Sequence, residues 1–120
     1  MKLNDYQKRA METCLPSCDN FTYMAFGLIA EVGEIADKVA KMKRKKEAYL
    51  SDDHIVSTSC DEGIARSMRH ELIKEVGDVM WFCAGLAHYL DYSLEEVAQI
   101  NLDKLSARKQ SNTIIDHNDH

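Results

Sequence analysis

Between Val76 and Leu90 the chain carries a single formal charge, that of Asp78. This stretch constrains the fold more than any other feature. A helix that is apolar nearly all round must be buried. It is shorter than the roughly 20 residues that a membrane-spanning helix needs. One bundle built from 120 residues can hardly cover every face of such a helix. The sequence therefore predicts a homo-oligomer in which this helix is sandwiched.

Around it the periodicity predicts four helices and no sheet. The first spans about residues 5–14, with Asn4 and Gln7 spaced as a capping box and Pro16 as its stop. The second spans about residues 22–46, with Met24, Leu28, Ile35, Val39 and Met42 at helical spacing. Beside them Ala25, Ile29, Gly33, Ala36 and Ala40 form a stripe of mostly small residues, which lets another backbone come close. The third spans about residues 67–90. The fourth follows the capping box of Ser93 and Glu96. Between the second and third lies a long loop, 47–66, rich in Ser and Asp. The expected architecture is an all-α bundle of four to five helices over residues 1–110, followed by a polar tail, 111–120.

Composition narrows the function classes. A net charge of −5 and a pI near 5.5 argue against a protein that coats nucleic acid. The opening MKLNDYQKRAMET lacks the apolar run of a signal peptide. Cys14, Cys18, Cys60 and Cys83 form no CxxC pair, and a set of Cys14, Cys18, Cys60 and His54 matches no common zinc spacing. Free thiols in a reducing cytoplasm are expected, with no membrane partner.

The carboxylates carry the chemistry. Glu31-Val32-Gly33-Glu34 and Glu75-Val76-Gly77-Asp78 each place two acids three residues apart, on one helix face. Asp78 is expected to be partly buried, because its neighbours are uncharged. The Gly inside each pair suggests close packing at the level of the acids. Two such helices side by side would bring Glu31, Glu34, Glu75 and Asp78 together. Four anions in a small volume need a divalent cation, and an all-oxygen set favours Mg²⁺ or Mn²⁺. A di-iron bundle would want Glu-x-x-His motifs, whereas positions 34 and 78 are Glu and Asp. Mg²⁺ so held keeps open positions for water and phosphates. Asn101, Lys104 and Arg108, at i, i+3 and i+7, and Lys38, one turn after Glu34, are the candidate phosphate partners. Trp81 is a candidate for stacking on a base.

The segments GLIAEVGEIADKVAK, HELIKEVGDVMWFCAGLAHYL and SLEEVAQINLDKLSARK, with the opening LNDYQKRAMET, closely resemble the MazG-like nucleotide pyrophosphohydrolases of the all-α nucleoside triphosphate pyrophosphatase superfamily. The likeness covers about residues 3–46 and 68–109. It implies hydrolysis of a nucleoside triphosphate to the monophosphate and pyrophosphate. It also implies metal-binding roles for Glu31, Glu34, Glu75 and Asp78, and positions near the nucleotide for Asn101, Lys104 and Arg108. Sites shared between subunits of a dimer or tetramer follow from it too. The chain departs from compact members in its longer loop 47–66, and from many relatives in a tail without Gly.

The expected mechanism is attack of metal-activated water on the α-phosphorus. Glu34 would orient or deprotonate that water. Lys104, Arg108 and Lys38 would stabilise the leaving pyrophosphate. Two rivals are a non-catalytic helical module for nucleotide sensing or dimerisation, and a pyrophosphatase acting on phosphoribosyl-ATP.

Overall fold

A computed structural model describes residues 1–111. The expected tail therefore lies, from residue 112 on, outside the described residues. Four helices dominate: α1 (Leu3–Glu12), α2 (Phe21–Lys45), α3 (Glu62–Tyr89) and α4 (Leu94–Gln110). A 3₁₀ turn, Pro16–Cys18, joins α1 to α2. Among the described residues no helix is long and apolar enough to cross a membrane. All four cysteines are free.

The helix ends follow from side chains that satisfy open backbone donors. The Asn20 side chain accepts from the Tyr23 N–H at 2.7 Å, and Asp61 accepts from the Gly63 N–H at 2.8 Å. Ser93 and Glu96 form the expected reciprocal box, with bonds of 3.0 and 3.1 Å. Asn4 and Gln7 do not form theirs. Asp5 accepts from the Lys2 N–H instead. Asn4 and Gln7 reach across to α4 and accept from the Glu95 and Leu94 N–H groups. They thus cap a helix about ninety residues away in sequence, fixing α1 against the start of α4.

The loop expected at 47–66 is mostly ordered secondary structure. Strands β1 (Ala48–Ser51) and β2 (His54–Ser57) pair antiparallel, Ala48 opposite Ser57 and Ser51 opposite His54. Asp52 and Asp53 both take positive φ, 50° and 62°, as a two-residue hairpin turn requires. The buried Ser57 hydroxyl accepts from the Ala65 N–H at 2.9 Å and pins the hairpin to the first turns of α3. The fold is thus mostly helical, consistent with the all-α expectation, with one small hairpin where a loop was expected. Helix α3 begins at Glu62, five residues before the expected start.

The pair α2 and α3 forms the core of the chain. At Gly27 an added Cβ would lie 2.1 Å from the Phe82 ring, and at Gly85 2.2 Å from Met24 Sδ. These two glycines set the close approach, and Met24 is fully buried between the helices. The expected approach at Gly33 and Gly77 is not made, since neither has anything within 4 Å of the added Cβ. The reason is helical phase. Met24, Gly27, Glu31, Lys38 and Met42 share the side of α2 that meets α3, whereas Gly33 lies about half a turn away.

Gly27→Ala should therefore be damaging. The Phe82 ring is held edge-on by Trp81 at 5.0 Å and tilted against Tyr23 at 5.6 Å, so it cannot swing aside. Overpacking of this kind costs about 1–3 kcal/mol, which outweighs the ~1 kcal/mol that Ala gains over Gly in a helix. We expect a net loss near the top of that range, read as a Tm lowered by several degrees in a thermal melt.

Candidate metal centre

The α2–α3 contact continues from its apolar end into a polar one. Glu31 comes from α2, Glu75 and Asp78 from α3, and one carboxylate oxygen from each lies within 4.8 Å of the other two. Spacing puts Glu75 and Asp78 on one face of α3, and the pairing of the helices brings Glu31 opposite them. Glu31 and Glu75 are half-buried, but Asp78 is exposed. This corrects the expectation of partial burial. The apolar neighbours of Asp78, Val76 and Met80, are themselves on an open surface in the single protomer.

Crowding of like charges shows in Glu31. Its carboxyl is pushed above the usual carboxylate range by burial, by the Asp78 charge, by its bond to Glu75 and by Glu34. A raised carboxyl binds a proton more readily in the folded chain. Acid therefore favours the metal-free fold and opposes any cation at these oxygens.

Cationic side chains supply partial relief. Lys38 Nζ lies 3.0 Å from Glu71 and 3.2 Å from Glu75. Lys74 holds the other oxygen of Glu71 at 2.9 Å. Lys74 and then Lys38 bring the Glu71 carboxyl down to about 2. The sign is that of a depressed acid. Its ion pairs contribute above the ordinary carboxylate range and are lost as pH falls toward about 2.

Of the expected quartet, the structure brings three acids together. Glu34, one turn along α2, is exposed and lies outside the trio, though its charge reaches Glu31. Lys38 lies beside the acids as expected. The Trp81 indole N–H donates to the Ala10 carbonyl at 3.0 Å and to Thr13 Oγ1 at 2.9 Å, so one edge of the ring ties α3 to α1. Asn101 borders a shallow hollow of about 330 Å³ with Leu3, Met80 and Leu94. Lys104 is exposed and Arg108 half-buried further along α4, a helix that docks on α1 and α3. Glu71, on the acidic face one turn before Glu75, is a further neighbour. So is Tyr6, whose hydroxyl is raised by burial and then by the Asp78 charge. A larger hollow, about 470 Å³, lies between the end of α2 and the hairpin, against Val39, Met42, Tyr49 and Leu50. It has no carboxylate and is not where cation chemistry would occur.

Three carboxylates with no soft ligand form a donor set for a hard dication. Fold and centre together define a helical protein with an acidic cluster between two long helices. Residues 20–112 match the MazG nucleotide pyrophosphohydrolase domain, and the chain belongs to that family. It is 35% identical over 121 residues to the Gene 37 protein of Mycobacterium phage L5, a similarity covering 95% of this chain and 94% of the phage protein. No solved structure matches it significantly.

Proposed function

We propose that the chain is a nucleotide pyrophosphohydrolase that cleaves a ribo- or deoxyribonucleoside triphosphate to the monophosphate and pyrophosphate, with Mg²⁺ as cofactor and Mn²⁺ as substitute. The observation that carries this reading is the convergence of Glu31, Glu75 and Asp78 across α2 and α3, in a chain of this family. The three carboxylates fit Mg²⁺: they are hard, anionic oxygen donors, close enough together that their charges help to raise the Glu31 carboxyl. When bound, Mg²⁺ would supply charge neutralisation at the phosphates and a lowered pKa for a water molecule.

The side chains divide the remaining work. Glu34, exposed beside the trio, orients the attacking water and takes its proton. Water oxygen bonds to the α-phosphorus, the bond from that phosphorus to the bridging oxygen breaks, and pyrophosphate leaves with the electron pair. Lys38, Lys104 and Arg108 carry the positive charge that meets the departing pyrophosphate, and Asn101 and Trp81 border the nucleotide. Because α4 docks on α1 and α3 rather than on α2, its residues serve the acids most directly if copies of the chain share a site. A homodimer or homotetramer is part of the proposal.

The test is turnover of a panel of canonical and modified triphosphates, with phosphoribosyl-ATP included. Pyrophosphate and orthophosphate are measured separately. Pyrophosphate release from a nucleoside triphosphate, abolished by a chelator and restored by Mg²⁺ or Mn²⁺, is expected. Turnover of phosphoribosyl-ATP alone would move the substrate. No turnover of any compound would leave a binding module and defeat the enzyme reading.

A further inference from the structure

Glu75 occupies two arrangements at once. It belongs to the trio with Glu31 and Asp78, and its Oε1 also holds the Lys38 ammonium at 3.2 Å. Of the residues in the site's ion pairs, Glu75 is the most enclosed: its side chain is 14% exposed, against 23% for Lys38 and 41% for Glu71. Water and salt therefore screen the Lys38–Glu75 contact less than an ordinary surface pair. Lys38 comes from α2 and Glu75 from α3, so the contact also bridges the two helices that form the centre.

We propose that Lys38 is a tethered counter-cation of this centre: its ammonium takes the place of the dication at Glu75 in the metal-free chain and withdraws when the dication binds. The inference rests on the metal reading above and adds a competition to it. Glu71 makes the withdrawal feasible. It holds Lys38 at 3.0 Å through Oε2 while Lys74 neutralises Oε1 at 2.9 Å. Lys38 can thus let go of Glu75 and keep one partner. Its ammonium then stands one helical turn from Glu34 with a donor released, available to a phosphate oxygen. Metal binding would in this way also prepare the cation that meets the substrate.

Mn²⁺ binding to the full chain tests this, followed by the loss of the free-ion electron paramagnetic signal. A cation within about 4–6 Å of a carboxylate changes its proton affinity by about 10- to 1,000-fold. Removing a competitor for the same oxygens should act in the same direction. Lys38→Met is expected to bind Mn²⁺ at least about tenfold more tightly than the wild type. Its metal-free Tm should be lower, with the gap narrowing at saturating Mn²⁺. Lys38→Gln, which keeps a donor for Glu71, is the second variant should Lys38→Met fold poorly, and should also bind more tightly. Lys38→Arg, which keeps the charge, should stay near wild type. Lys41→Met removes the same charge one turn nearer the end of α2, where Lys41 pairs with Asp37 at 3.0 Å, and should leave the affinity unchanged. Unchanged or weaker binding by both neutral Lys38 variants overturns the proposal and leaves the metal reading intact. So does equal tightening by Lys41→Met, which would reduce the effect to net charge. Failure of every chain, wild type included, to take up Mn²⁺ overturns the metal reading and the inference with it.

Discussion

Asp78→Asn and Glu75→Gln are each expected to lower kcat/KM with Mg²⁺ by at least about a hundredfold while the helical circular dichroism signal persists. Both changes keep side-chain size and remove one anionic oxygen donor from a set of three. Even supporting residues around a metal typically matter by about 10–100-fold, so a direct ligand should matter more. The two variants should part company in the metal-free chain. Asp78 repels Glu31 and has no ion pair among the described residues. Asp78→Asn should therefore raise the metal-free Tm. Glu75→Gln also relieves Glu31, but it takes a partner from Lys38, so its Tm should fall or hold. A substitution that raises stability and abolishes turnover marks a site kept for chemistry rather than for packing. Glu34→Gln separates the remaining role: kcat should collapse, with Mn²⁺ affinity changed far less, because Glu34 stands outside the trio. Full activity of both Asp78→Asn and Glu75→Gln with Mg²⁺ would remove the basis of the catalytic assignment.

The sequence reports on what is local and periodic. The Ser93–Glu96 box, the Pro16 stop and the acidic pairs were all visible as spacings, and the structure builds α4, the end of α1 and the trio from them. The hairpin was not visible. Its turn is Asp52-Asp53 rather than the Asn-Gly or Asp-Gly that announces such turns, and its strands of four residues each are too short to show alternation. Partners far apart in sequence were equally hidden. Asn4 and Gln7 have the spacing of a local cap, yet they cap α4, because the docking of α1 offers them unsatisfied N–H groups there. Lys38 between Glu71 and Glu75 depends on the register of α2 against α3, which no single-helix pattern encodes. The same register decides which glycines are contacts: Gly27 and Gly85 face a neighbour, Gly33 and Gly77 do not.

Those two open glycines lead to a further large effect. Phe26 and Ile29, 69% and 68% exposed, accompany Gly33 on the side of α2 turned away from α3. Ile73, 64% exposed, lies with Val76, Gly77 and Met80 along α3. Two apolar stripes, each with a glycine that invites close approach, are more than a monomer ordinarily leaves to water. They are the surfaces that the proposed dimer or tetramer would use, in line with the oligomer expected from the stretch 76–90. Ile29→Asp and Ile73→Asp test this without touching the core, because neither side chain is buried in the protomer. Burying Ile contributes about 1.5–3 kcal/mol, and a charge in its place adds a desolvation penalty. In a two-fold symmetric interface each change appears twice. A loss of at least about 4 kcal/mol, or roughly a thousandfold in the dissociation constant, is expected from whichever stripe lies in the interface. Sedimentation should show the wild type as a dimer or tetramer at micromolar concentration and at least one variant as a smaller species of unchanged helicity. Turnover should fall with the assembly, and the fall should be reversed at high protein concentration. A wild type that sediments as a monomer while hydrolysing triphosphate would remove the shared site and leave α4 to reach the acids of its own chain.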